Sequence, residues 1–313
     1  MAASKILLTD GLEESGQAIL RDAVEIIDRN GILADELLQI VGEYDALIVR
    51  GRTKVNSAVL AAGKKLKVVG RSGVGVDNID LAAARERKIS IVNAPMGLTI
   101  AVAELTLGLM LSMAREIPRA DCGMKNGQWL KKELEGTEIY GKTLGVIGVG
   151  RIGSAIAQRA EACGMKVIGY DALLQPGEIR KRGLEPVSLE ELYSRSDIIT
   201  VHTPLTNETR GMLGVDAFEK MKMGVRIVCA ARGGVINESS LLAALNSGKV
   251  AFAGLDVFAT EPPGATALVA HPHVICTPHI GAQTLEAQAR AAYDISTEVL
   301  AALHGEPLRW KVA

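Results

Sequence analysis

Three polar residues stand at the ends of apolar, β-rich runs late in the sequence: Arg232 in "CAARGG", Glu261 (with Asp256) in "LDVFATEPP", and His279 in "TPHIG". In an open α/β sheet ligands collect beyond the carboxyl ends of the strands, so these residues are expected to converge on one crevice. An arginine fork can hold a carboxylate and the neighbouring hydroxyl or carbonyl oxygen together. A histidine can move the hydroxyl proton near neutral pH. A carboxylate behind the imidazole fixes its tautomer and favours its protonated form. Together they suit oxidation of a 2-hydroxy acid. A lone arginine or glutamate at a strand end is more often a surface ion pair, and a histidine before Ile-Gly can simply cap a strand; three at successive strand ends point to chemistry. The pair His271 and His273 in "HPH" has no third ligand close by, and no metal is expected.

Such an oxidation needs a hydride acceptor, and a second constellation supplies its binding turn. Gly148, Gly150 and Gly153 follow the apolar run "TLGVIG" and open the helical pattern "RIGSAIAQRAEACG". The first glycine allows the tight turn, the second lets backbone approach a pyrophosphate, and the third lets helix and strand close together. Asp171 ends the next strand, twenty-one residues after Gly150, and no basic residue follows until Arg180. A carboxylate there accepts from ribose hydroxyls and repels a 2′-phosphate, so NAD is favoured over NADP. The cluster "RKR" at 180–182 is read as a solvated face.

Those residues need a scaffold, and the chain supplies strands alternating with helices throughout. In the first third the strands are "KILLTD", "VEIID", "DALIVR", "LKVVGRSG" and "SIVNAP", with helical "ADELLQIV" and "NSAVLAAG" between them. The second series is "TLGVIG", "KVIGYD", "DIITVHTP", "RIVCAARGG", "AFAGLDVF" and "VICTPHIG". Ser188 and Glu191 in "SLEEL" form a capping-box pattern. A long helical pattern after His279 ends the sequence and is expected to return to the first domain. The fold class is therefore α/β: a Rossmann-type NAD-binding domain (99–283) inserted in a flavodoxin-like substrate-binding domain (1–98 and 284–313). The stretch 100–114 is apolar almost all round, which predicts burial between domains or subunits. With the following segment "GQWLKKELEGTEIYGKT" it predicts a homodimer or dimer-based homo-oligomer.

Composition narrows the classes. At 313 residues with 48% apolar side chains, the chain can bury two ordinary cores. A net charge of −1 argues against nucleic-acid or membrane-surface partners. Cys122, Cys163, Cys229 and Cys276 lie far apart, which argues for a reducing, cytoplasmic location. The start "MAASKILLTD" lacks a secretory pattern, and the longest apolar run falls short of the ~20 residues a membrane span needs.

Nearly end to end, the sequence resembles the NAD-dependent D-isomer-specific 2-hydroxyacid dehydrogenases. The motifs carrying this are "LIVRGRTKV", "VVGRSGVGVDNID", "GKTLGVIGVGRIG", "VHTPLTNET", "ARGGVINE", "GLDVFATEPP" and "TPHIGAQTLEAQ". The resemblance implies that Arg232, Glu261 and His279 are catalytic. It implies cofactor contacts at Arg151, Ile152, Asp171, Thr203, Pro204, Ala230, Ala231, Asp256 and Gly281. It also implies that the loop "GVG", with Val74 and Gly75, holds the substrate carboxylate through backbone N–H groups. Two departures stand out: Met96, Leu98 and Thr99 after Pro95, where relatives often carry asparagine and serine, and Cys229 in place of an asparagine. Longer family members carry additional regulatory domains; a short form and a truncated chain both suit a sequence of this length.

Arg50, Arg52 and Arg71 end or follow strands of the first domain, more positive charge than one carboxylate requires. The surplus predicts a second anion, so the partner is a phosphorylated 2-hydroxy acid. Resemblance adds Lys131, the basic residue after Trp129 that in relatives reaches the phosphate across a dimer. Two alternatives stay open: a glyoxylate or hydroxypyruvate reductase, and an NAD-sensing, corepressor-like binding protein.

Overall fold

The computed structural model describes residues 4–313. The chain divides into two compact units, one of Met1–Leu98 and Ala282–Ala313, the other of Thr99–Gly281.

The first unit alternates β1 (Lys5–Leu8), α1 (Glu14–Arg21), β2 (Glu25–Asp28), α2 (Ala34–Ile40), β3 (Ala46–Val49), α3 (Ser57–Ala62), β4 (Val68–Arg71), α4 (Leu81–Glu86) and β5 (Ser90–Asn93). The strands pair in parallel in the order β2-β1-β3-β4-β5. Parallel sheets are covered on both faces, and β3 accordingly reads "ALIV" with every side chain buried. The order reverses at β1 and β3, which sets the loops after them side by side. Asp10, almost fully buried, ties those loops: its carboxylate accepts from Arg50 N (2.8 Å), Thr53 N (3.1 Å) and Thr53 Oγ1 (2.6 Å).

The second unit begins with α5 (Thr99–Arg115) and α6 (Ile117–Lys125). It continues β6 (Thr143–Ile147), α7 (Arg151–Ala162), β7 (Lys166–Tyr170), α8 (Pro176–Lys181), β8 (Glu185–Pro186), α9 (Leu189–Arg195) and β9 (Ile198–Val201). Then come α10 (Val215–Lys220), β10 (Val225–Cys229), α11 (Glu238–Asn246), β11 (Val250–Leu255) and β12 (Val274–Cys276). All seven strands are parallel, in the order β12-β11-β10-β9-β6-β7-β8. Aliphatic clusters fill both faces, Ile147 with Leu192 and Ile227 on one and Leu144 with Ile156 and Met110 on the other. The two-residue β8 is too short to show in hydrophobic alternation. Ser188 and Glu191 do form the capping box, at the start of α9.

One side of α5 buries Val102, Thr106, Leu109 and Met113, and the helix packs on α7 and β11. Ile100 and Leu111 remain exposed on it. The helix is thus buried within its own unit on one side only.

The last helix, α12 (Leu285–His304), is capped by Thr284 at one end and by left-handed Gly305 at the other. It returns to the first unit against α1 and β4. Two glycines allow its close approach: a Cβ on Gly16 would come within 2.6 Å of Ala292 O, and one on Gly70 within 2.6 Å of Val299 Cγ2. The residues after it add to the edge strand β5, where Val312 N donates to Ile91 O (2.7 Å) and Ile91 N to Ala313 O (3.0 Å). That pairing covers an edge otherwise open to other chains.

Candidate active site

The order of the second sheet reverses between β6 and β9, and the register aligns Ile147 with Val201. Gly148 therefore turns directly beside His202 and Thr203. Gly148 has φ +89°, and a Cβ on it would lie 2.8 Å from the carbonyl carbon of His202. A Cβ on Gly153 would lie 2.1 Å from Gly148 O, so α7 could not begin where it does with any other residue there. Gly150 precedes α7 without a side-chain cap, and nothing lies within 4 Å of where its Cβ would be. The turn thus presents an open cradle at a helix start, the shape and polarity a pyrophosphate needs.

Asp171, beyond β7, closes this edge. Its carboxylate accepts from Val149 N (2.8 Å) and Leu173 N (2.9 Å), which holds it against the turn with lone pairs to spare. Thr203 Oγ1 and His202 Nδ1 are buried there without a hydrogen-bond partner among the described residues. Burial pushes the His202 imidazole down to about 4, so it is neutral at physiological pH. Pro204 is exposed beside them, while Ala230 and Ala231 follow β10. A glycine cradle, a carboxylate held at its edge and buried polar atoms without partners together fit a dinucleotide. One basic residue departs from its expected place: Arg182 is half-buried, and its guanidinium donates to Val149 O. Nothing local could show this, because thirty-three residues separate the partners. Replacing Asp171 with Ala is expected to narrow the preference for NADH over NADPH by about tenfold or more, the effect of one removed like-charge repulsion. Comparison of the two dissociation constants by fluorescence titration checks it, and equal affinities in the wild type would rule the assignment out.

The strand ends beyond β10, β11 and β12 carry the expected trio. His279 Nδ1 lies 2.8 Å from Glu261 Oε2, and both side chains are solvent-accessible. A carboxylate accepts, so Nδ1 carries the proton and Nε2 is the basic nitrogen. Glu261 is itself held, its Oε1 accepting from Phe258 N (3.1 Å). Arg232 lies on the loop after β10, with Nη1 donating to Ala231 O (2.6 Å). The loop sits against the acid-bearing one so closely that a Cβ on Gly233 would fall 1.8 Å from Phe258 O. Cys229 lies behind it, fully buried, with Sγ 3.8 Å from Arg232 O. Burial pushes this thiol up, so it acts as a small apolar filler.

His279 adopts φ +54°, a left-handed conformation uncommon for a residue with a side chain. Asp256 explains how it is held. Its fully buried carboxylate accepts from Thr277 Oγ1 (2.6 Å) and Ile280 N (2.8 Å) on one oxygen and from Gly281 N (2.8 Å) on the other. His279 N donates to Asp256 O (2.9 Å). Asp256 and Gly281, expected as cofactor contacts, are seen to clamp the histidine loop; the spacing of the two residues carried no sign of that.

In the first unit, Arg50 pairs with Glu13 (3.1 Å) and donates to the side-chain oxygens of Gln283 (3.0 Å) and Gln288. Arg52 pairs with Asp10 (3.0 Å) and donates to the carbonyls of Thr9 and Ile32. Its guanidinium holds three chain segments together, where the strand-end position alone suggested ligand binding. Arg71 lies against Gly73, with Nη1 donating to Ser72 O (3.3 Å). The carbonyl of Val74 accepts from Asn93 Nδ2 (2.6 Å), which orders the loop through Gly75. Lys131, in the second unit, is exposed on a turn after Trp129. Among the described residues no group of three or more His, Cys, Asp or Glu side chains could hold a metal ion. No helix among them is long and apolar enough to cross a membrane.

Residues 107–281 match the family model described as "D-isomer specific 2-hydroxyacid dehydrogenase, NAD binding domain". The chain belongs to this family. Its second unit is accordingly a D-2-hydroxyacid dehydrogenase NAD-binding domain, consistent with the cradle and Asp171. Among curated relatives, D-3-phosphoglycerate dehydrogenase of Rattus norvegicus is 44% identical over 97% of the chain and 57% of its own length. The enzyme of that name from Methanocaldococcus jannaschii is 47% identical over 96% and 58%. The chain thus spans a little over half the length of these relatives. Among solved structures, the TT0316 protein of Thermus thermophilus superposes with a TM-score of 0.91 at 35% identity, covering 99% of this chain and all of that one. A glyoxylate reductase from Paecilomyes thermophila gives 0.91 at 32%, covering 100% and 99%.

Proposed function

We propose that this protein oxidises D-3-phosphoglycerate to 3-phosphohydroxypyruvate with NAD⁺, the reaction that opens serine biosynthesis. The observation that carries the chemistry is the Glu261–His279 pair at 2.8 Å, set at the strand ends of an NAD-binding domain. The choice of acid is supported by the relatives named D-3-phosphoglycerate dehydrogenase. Bound NAD⁺ supplies the acceptor for the C2 hydride. His279 Nε2 takes the hydroxyl proton, and Glu261 stabilises the imidazolium that forms. Arg232 binds the substrate carboxylate and the C2 oxygen as a planar fork. The N–H groups of Val74 and Gly75, with Arg71, are assigned to the carboxylate as well. The phosphate is assigned to Arg50, Arg52 and Lys131.

The test is a substrate panel followed by NADH absorbance. The phosphorylated acid is expected to exceed glycerate and lactate in kcat/KM. Replacing Arg50 with Ala is expected to cost about 1.5–3 kcal/mol in kcat/KM for it, the size of one charge-assisted contact, and to leave glycerate scarcely changed. Turnover of glycerate or glyoxylate as efficiently as the phosphorylated substrate would overturn the choice of acid.

A homodimer of two-fold symmetry belongs to the same proposal. Ile100, Leu111, Ile117, Met124 and Trp129 stand exposed on or just after α5 and α6, an apolar set that water alone covers poorly. Light scattering at micromolar concentration is expected to give twice the chain mass of 33.1 kDa; a monomer would refute it.

A further inference from the structure

Glu238 is the first residue of α11, in the run "ARGGVINE", six residues after Arg232. An acidic side chain in a first helical turn ordinarily faces its own helix N-terminus. This one reaches across to the loop after β11, where its Oε1 accepts from Ala259 N at 2.6 Å. Ala259 is the residue between Phe258, whose N–H holds Glu261 Oε1, and the approach to Glu261 itself. On its other side the same loop bears directly on Gly233, at Phe258 O.

The loop 257–261 is thus gripped at consecutive peptides. Glu238 holds the N–H of Ala259, Gly233 meets the carbonyl of Phe258, and Glu261 folds back on the N–H of Phe258. We infer that Glu238 is a positioning residue for the Glu261–His279 pair, acting through the Ala259 peptide. Its carboxylate sets where the Glu261 carboxylate can stand, and Glu261 Oε2 in turn sets the imidazole. The charged groups bonded to the two loops that carry the pair are Glu238, on Ala259 N, and Asp256, on the N–H groups of Ile280 and Gly281. The inference rests on the proposed reaction for its kinetic readout but not for its structural one.

Replacing Glu238 with Ala removes the acceptor and frees the Ala259 peptide. Such misplacement is expected to lower kcat by about tenfold or more, with KM for the acid and affinity for NADH little changed. Replacing Glu238 with Gln retains an acceptor oxygen of the same reach and is expected to restore most of that loss. A purely structural role would lower stability without touching proton transfer, so the deciding readout is the acidic limb of the kcat/KM profile. A loosened Glu261 stabilises the imidazolium less, so the limb moves to lower pH in Glu238→Ala, in the direction of Glu261→Gln. Imidazole titration followed by NMR on histidine-labelled protein, with no substrate present, must show the same displacement for His279. This second arm separates the two readings. A wild-type protein inactive on every 2-hydroxy acid would overturn the function while leaving the titration to decide the clamp. An Ala variant with unchanged limb and unchanged titration would overturn the clamp, as would a Gln variant as impaired as the Ala variant.

Discussion

Replacing His279 with Ala is expected to lower kcat for the proposed oxidation of D-3-phosphoglycerate by roughly 10²–10⁴-fold, the range for loss of a positioned general base. No neighbouring group can substitute. Glu261 meets the imidazole at Nδ1, on the side away from Nε2, the nitrogen proposed to take the proton. Arg232 remains a cation throughout and cannot accept a proton. The loss should fall on kcat, because the imidazole acts as the proton leaves. NADH affinity should stay near wild type, since the cradle at Gly148–Gly153 and Asp171 is built from other loops. Arg232→Ala is expected to differ by damaging KM and kcat together, because it holds the ground state and the transition state alike. Stopped-flow measurement of NADH formation distinguishes the patterns. A His279→Ala variant with near wild-type kcat would end the assignment of His279 as base.

Replacing Asp256 is expected to have the largest effect on stability and a comparable one on activity. Three donors end on its carboxylate, in the fully buried interior at the end of β11. Asp256→Ala would strand all of them, at about 1–3 kcal/mol for each buried group left unpaired. Asp256→Asn is the sharper variant. Its amide oxygen can still take Thr277 Oγ1 and Ile280 N, but its NH₂ must then face the Gly281 N–H, donor against donor. The loop bearing His279 in its left-handed conformation loses all three of these bonds in Asp256→Ala and the Gly281 bond in Asp256→Asn. A conformation costing about 1–3 kcal/mol persists only where its surroundings impose it. The expected result is a lower midpoint in urea together with a severe fall in kcat. Unchanged midpoints would show that the clamp carries no stability.

Much of this architecture is legible in the chain. Buried parallel strands read as short apolar runs because both faces are covered, and β3 and β6 stand out on that ground alone. The glycine turn is equally local, since a positive φ at Gly148 and a missing Cβ at Gly153 are demands of a few consecutive residues. Asp171 and the capping box at Ser188 follow from positions counted along one strand or one helical turn. Strand ends carrying Arg232, Glu261 and His279 could be picked out by residue type and order. The short β8 could not, because two residues carry no period. Nor could the one-sided burial of α5, which is apolar on faces that its neighbours do not all cover.

What the sequence determined by itself was the set of groups available for chemistry, and what the tertiary structure decided was how each is engaged. Arg50 and Arg52 looked alike at their strand end; the fold sets Glu13, Gln283 and Gln288 on the first, and Asp10 with the carbonyls of Thr9 and Ile32 on the second. Arg182 looked solvated until it was found on Val149 O, and Asp256 looked like a cofactor contact alone until its oxygens were found on the histidine loop. Glu238 carries no local sign of its contact with Ala259 N, twenty-one residues away. The reason is physical. Hydrophobic period and backbone φ are set by neighbours within a few residues. The partner of a polar side chain is set by which strand ends the sheet order and register place side by side, tens of residues apart in the chain.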